Sequence, residues 1–123
     1  MIPKFRARDQ RGNWHIGLLT FMFGQYAIVN ESDENTVYLI DKETIGQSTG
    51  LKDKNGVEIF EGDVLYYITF ETHINNSIIV FEKGSFCKKT IRNGKLTSVR
   101  FIDSEEYEVI GNVWDNPELL EGN

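Results

Sequence analysis

The chain has 123 residues, 40% of them hydrophobic and 26% charged, which suits a folded protein of one or two small domains and excludes disordered and fibrous classes. Its net charge of −6 argues against a dedicated nucleic-acid binder, and no apolar run reaches the 18 residues of a membrane span. Lys4, Arg6, Arg8, Asp9 and Arg11 stand where a secretory leader would be apolar, and Cys87 has no second cysteine to pair with, so a reducing cytoplasm is the expected setting.

In chain order, nearly every patterned segment has strand character. Lys4 to Arg8 alternates polar and apolar residues, turns at Gln10-Arg11-Gly12-Asn13, and returns as Trp14 to Leu19. Phe21 to Val29 follows, interrupted at Gly24, a place for a bend or a bulge. An acidic loop, 30–35, precedes a short strand, Thr36 to Ile40. Gly46, Gly50, Gly56 and Gly62 read as sharp turns of a small bent barrel, with Asp53-Lys54-Asn55-Gly56 leading into Val57 to Phe60.

Val64 to Glu71 is largely apolar on both faces at period 2, which predicts a strand near the centre of the fold. Ser77 to Glu82 continues in strand. Ser85 to Arg92 and Lys95 to Ile102 are joined by Asn93-Gly94, the clearest hairpin signal in the chain. Tyr107 to Trp114 is the last strand, and Asn116-Pro117-Glu118 reads as the N-cap and start of one short helical turn. Such a pattern, without a long amphipathic helix, predicts an all-β barrel or sandwich.

Charge comes in blocks. Residues 1–11 carry +3, residues 31–43 and 52–82 carry −4 each, residues 83–102 carry +6, and residues 103–121 carry −7. The basic run admits three readings. Lys88, Lys89, Arg92, Lys95 and Arg100 would suit phosphates, with Phe86 and Phe101 stacking on bases. Alternatively, the cations face the acidic last strand within one sheet, or attract the acidic blocks of an identical subunit.

Catalytic signatures are sparse. His15 and His73 share no metal-ligand spacing with Cys or each other; His15 reads as a strand residue, His73 as a surface residue and Cys87 as a small packed one. No phosphate loop, dinucleotide fingerprint or nucleophile elbow is present, so no cofactor and no metal is expected. Glu61 and Asp63, two residues apart across Gly62, form an acidic pair with a spacing suited to acid–base or metal work; the alternative is that Asp63 binds turn amides while Glu61 faces solvent.

The stretch from Glu43 to Val64, with its Gly46, Gly50, Gly56 and Gly62, resembles the signature of the YopX family of phage and prophage proteins. Ile2-Pro3-Lys4-Phe5-Arg6-Ala7, and Tyr107 to Trp114 with Asp115-Asn116-Pro117-Glu118-Leu119-Leu120, resemble that family's ends. The resemblance implies an all-β protein with an N-terminal β region over 1–48 and an SH3-like barrel over 49–123, encoded by a bacteriophage or prophage and oligomeric. It implies no catalytic residues. The expectation is a non-enzymatic module that binds itself and a phage or host protein, with nucleic-acid binding through the 83–102 hairpin and a small hydrolase on Glu61 and Asp63 as alternatives.

Overall fold

The computed structural model describes residues 3–67, 76–82, 84–92, 95–100 and 107–120, with backbone alone at 67, 76, 90–92, 95–100 and 120. It is all-β, built from antiparallel strands and two short 3-10 turns, and it divides into two units, 1–48 and 49–123. No helix among the described residues is long and apolar enough to cross a membrane.

In the first unit, β1 (Phe5–Arg8), β2 (Trp14–Met22), β3 (Gln25–Asn30) and β4 (Val37–Leu39) form a sheet in the order β4-β3-β2-β1, with the start of β5 (Gly46–Lys52) beside β1. Register sorts the side chains. Ala7 lies opposite His15, Leu19 opposite Ile28, and Ile28 opposite Tyr38. This row, with Phe5, Ile40 and Ile45, is the core of the unit. The opposite row carries Arg6, Arg8 and Trp14, and there the two guanidinium carbons lie 4.8 and 5.8 Å from the Trp14 ring centroid. The N-terminal basic block is thus laid over an indole.

Two expectations for this half are corrected. Gly24 is not a bulge inside a strand; Met22 pairs with Gln25, so Phe23 and Gly24 form a two-residue hairpin turn, Phe23 at φ 54°. Gly46 to Gly50 is not a run of turns but most of β5, because Gln47 and Gly46 take up the free edge of β1 opposite Phe5 and Arg6. Of the four glycines, Gly50, Gly56 and Gly62 adopt positive φ and Gly46 does not.

In the second unit, the end of β5 lies beside β6 (Glu58–Phe60), where Thr49 Oγ1 donates to the Ile59 carbonyl at 2.8 Å. A second sheet follows the order β10-β9-β8-β7-β11, from β7 (Asp63–Tyr67), β8 (Asn76–Glu82), β9 (Ser85–Arg92), β10 (Lys95–Arg100) and β11 (Tyr107–Asn112). β7 lies between two neighbours, as its two apolar faces require. The core is Ile59, Leu65, Ile79 and Tyr107, packed by Leu51, Phe86 and Val109. Each fully buried aliphatic side chain contributes about 1.5–3 kcal/mol.

As described, this sheet is open, ending on β10 and β11. Gly62 (φ 93°) is a tight point: a Cβ there would sit 2.2 Å from the Trp114 ring. The last turn, Pro117–Leu120, follows Asn116, whose carbonyl accepts the Leu119 N–H and whose side-chain oxygen accepts the Asn112 N–H from β11. The end of the Val64–Glu71 segment, the Asn93-Gly94 turn, His73 and Phe101 lie outside the described residues.

Candidate functional site

The basic hairpin distributes its cations more widely than a binding face would. β9 and β10 pair with Arg92 opposite Lys95, Lys89 opposite Ser98, Lys88 opposite Val99 and Cys87 opposite Arg100. Opposed residues share a face and successive ones alternate, so positions 88, 92 and 95 fall on one face and 89 and 100 on the other. Lys88 Nζ donates to the hydroxyl of core Tyr107, and Lys89 Nζ pairs with Glu82 Oε2 at 3.0 Å. Glu82, the partner of Lys89, belongs to β8, while β11 pairs with β7. Phe86 meets Phe81 edge-on at 4.9 Å and packs on the core.

Glu61 and Asp63 are separated by their environments. Asp63 is 1% exposed, and its Oδ2 accepts the Phe60 N–H at 2.8 Å, so it ties the turn before β7. Glu61 is half-buried. Among the described residues no group of three or more His, Cys, Asp and Glu is placed to hold a metal ion. Cys87 is half-buried opposite Val80, with Sγ 3.8 Å from the Ser85 carbonyl.

Asp53 opens the turn through Asn55 and Gly56, and an Asp at that place is the usual signal of a side chain that bonds its own turn. It is 6% exposed, and accepts N–H groups from Asn55 at 2.8 Å, Val57 at 2.9 Å and Val109 at 2.9 Å. Burial pushes its pKa up, but the three backbone donors outweigh burial and hold it below the usual carboxylate value.

The most connected polar group of the first unit is Asp9, in the β1–β2 turn. Its Oδ1 accepts the Arg11 and Asn13 N–H groups at 2.9 and 3.0 Å, and its Oδ2 lies 2.8 Å from His15 Nε2. An ionised carboxylate only accepts, so Nε2 carries the hydrogen. The His15 ring stacks on Tyr38 at 3.7 Å and 14°. The hydrogen bond from His15, then the one from Asn13, holds the Asp9 carboxyl down to about 2 from an ordinary 3.8. A carboxyl lowered on folding stabilises the fold above its unfolded pKa, and that contribution is lost as pH falls from 3.8 towards 2. His15→Phe keeps a ring against Tyr38 but removes the donor, so Asp9 should titrate closer to 3.8 in the variant. Carboxyl-detected NMR titration of both proteins checks this; a wild-type Asp9 that already titrates near 3.8 would contradict the pairing.

Around this cluster the first unit is apolar on its outside. Of the eight exposed large hydrophobic side chains among the described residues, six belong to it: Leu18, Phe21, Phe23, Tyr26, Val37 and Leu39. Phe23, at the hairpin tip, is 93% exposed in a backbone conformation that bulky residues seldom adopt, and Phe21 meets Tyr26 edge-on at 5.0 Å. The register spreads these side chains over both faces of the sheet: Phe21 and Tyr26 lie on the row of Leu19 and Ile28, and Leu18, Val37 and Leu39 on the opposite row.

The crystal structure of protein EF1440 from Enterococcus faecalis is similar to this chain at 32% sequence identity and a TM-score of 0.63, over 98% of this chain and 99% of that one. Curated proteins return no match. Residues 4–121 match the YopX protein family, nearly the whole length, and the chain belongs to that family.

Proposed function

We propose that the protein is a non-enzymatic interaction module of a bacteriophage or prophage, working in the host cytoplasm as a homo-oligomer. The observation that carries this reading is the concentration of exposed apolar side chains on the first unit. Monomeric proteins seldom leave such surface in water, and apolar surface rimmed by polar residues marks a place where another macromolecule sits. The second unit is read as an SH3-like barrel, on the support of the β7–β10 meander and the return of β11 to β7. It serves as the scaffold, its cations committed in part to Tyr107 and Glu82.

Light scattering coupled to size exclusion, at low and high salt, tests the assembly. The expected mass is a multiple of 14.2 kDa at both salts, because apolar contacts persist when charge attraction is screened. A mass of 14.2 kDa under both conditions overturns the oligomer.

A further inference from the structure

The β2–β3 hairpin carries an aromatic end. Met22 pairs with Gln25 across the two-residue turn, which leaves the Phe23 side chain almost wholly exposed at the tip. Behind it, Phe21 and Tyr26 meet edge-on at 5.0 Å and are exposed as well. Phe23 holds φ 54°, a conformation that strains a residue with a Cβ and that Gly or Asn adopts more readily. The strain is borne for a ring held out in water, and strained positions gather where a protein binds or switches.

The other end of the same hairpin is hollow. Leu18 lies opposite Val29, and these two residues, with Pro3 and Gly17, line a cavity of about 500 Å³ beside the 31–34 loop. About 150 Å³ is enough to hold a benzene ring. The rim is polar, with Lys4 Nζ 3.7 Å from Glu31 Oε2. Leu18 and Phe23 are separated by about 17 Å of strand, so the Phe23 ring does not reach the cavity of its own chain. From Ile16 to Asn30 the sequence has no Asp, Glu, Lys or Arg, so this tip enters an apolar cavity without stripping water from a charge of its own.

We propose that Phe23 is a plug for the Leu18–Val29 cavity of a second copy of this chain, so that copies join head to tail. The ring lies on the apolar floor, and Phe21 and Tyr26 follow it to the rim. Plug and cavity are different surfaces at opposite ends of one hairpin, so the contact is heterologous and is satisfied throughout only when the copies close into a ring. The assignment rests on the homo-oligomer reading and gives it an interface.

The test uses the full chain with Phe23→Asn, which suits the positive φ of the turn, and with Leu18→Glu, at an exposed strand position. Light scattering over a dilution series is expected to show each variant dissociating at about thirtyfold higher concentration than wild type, the effect of one buried Phe. An equal mixture of the two variants regains association but stops at two chains, because one sound plug and one sound cavity remain. With 15N in the Phe23→Asn chain, adding unlabelled Leu18→Glu chain shifts the amides of Leu18, Val29 and Glu31; with the labels reversed, the shifts fall on Met22, Gly24 and Gln25. A Phe23→Asn chain that assembles as wild type does overturns the plug and leaves the oligomer standing, as does a mixture whose shifts lie elsewhere. A wild-type mass of 14.2 kDa at every concentration overturns the oligomer and the plug together.

Discussion

Gly17→Ala is expected to destabilise the first unit by about 3 kcal/mol, the upper end of what overpacking a rigid core costs. Gly17 sits on β2 between Phe5 of β1 and Asn30 of β3. A Cβ built there would lie 1.8 Å from the Val29 carbonyl oxygen and 3.2 Å from the Glu31 amide nitrogen. Both obstacles are backbone, so no rotamer change relieves the contact; β3 would have to leave the ladder that aligns Ile28 with Leu19 and Tyr38. Urea denaturation followed by fluorescence and by amide exchange in β2 and β3 measures the effect. A loss under 1 kcal/mol would mean that the strands do not approach so closely.

Asp53→Ala is expected to destabilise the second unit by about 4 kcal/mol, since three amides lose a charged acceptor and each such bond is worth about 1.5–3 kcal/mol before the offsetting relief of burying a carboxylate. The carboxylate joins distant parts of the chain. Asn55 and Val57 belong to the turn before β6, and Val109 to β11, next to the register shift between Val109 and Gly111. The main chain reinforces the link, with Lys54 N–H on the Tyr107 carbonyl at 3.0 Å and Asp53 N–H on the Val57 carbonyl at 2.8 Å. Asp53→Asn should fall between wild type and Ala, because its amide keeps one accepting oxygen and turns a donor towards the other amides. The folded-state pKa is lowered, so this stabilisation is complete above the unfolded value of 3.8 and is lost as pH falls below it. Denaturation midpoints of the three proteins at neutral and acidic pH check both claims; similar midpoints for Ala and wild type at neutral pH would remove Asp53 from its structural role.

These two positions show how differently fold and site stood in the amino-acid order. The β9–β10 hairpin was legible from Asn93-Gly94, and its register, Arg92 opposite Lys95, agrees with a two-residue connection. The burial of β7 was legible from Val64 and Leu65, since a strand apolar on both faces needs cover on both, and both side chains are fully buried. β5 was not legible. Two glycines and Gln47, Ser48 and Thr49 have weak strand preference, and only the waiting edge of β1 makes them a strand. The Phe23 turn was hidden for a related reason: Phe is an unusual choice for positive φ, so nothing local announces it.

The candidate site was harder to read than the fold. Counting cations along 83–102 treats the hairpin as one surface, whereas the pleat sends neighbouring positions to opposite faces and packing draws Lys88 to Tyr107. The cavity at Leu18 and Val29 joins residues 3 and 4 to the 31–34 loop, a juxtaposition that the chain order does not announce.

Alternation and turn residues were enough to indicate an all-β chain and several of its hairpins, because each depends on residues close together in the chain, and the stretch from Glu43 to Val64 carried the resemblance to its family. Which strand borders which, which edge stays open, and which charges are consumed inside the fold depend on partners many residues apart. Those contacts exist only after the backbone has paired its hydrogen bonds and buried its apolar rows, and so they emerge only with the assembled sheet.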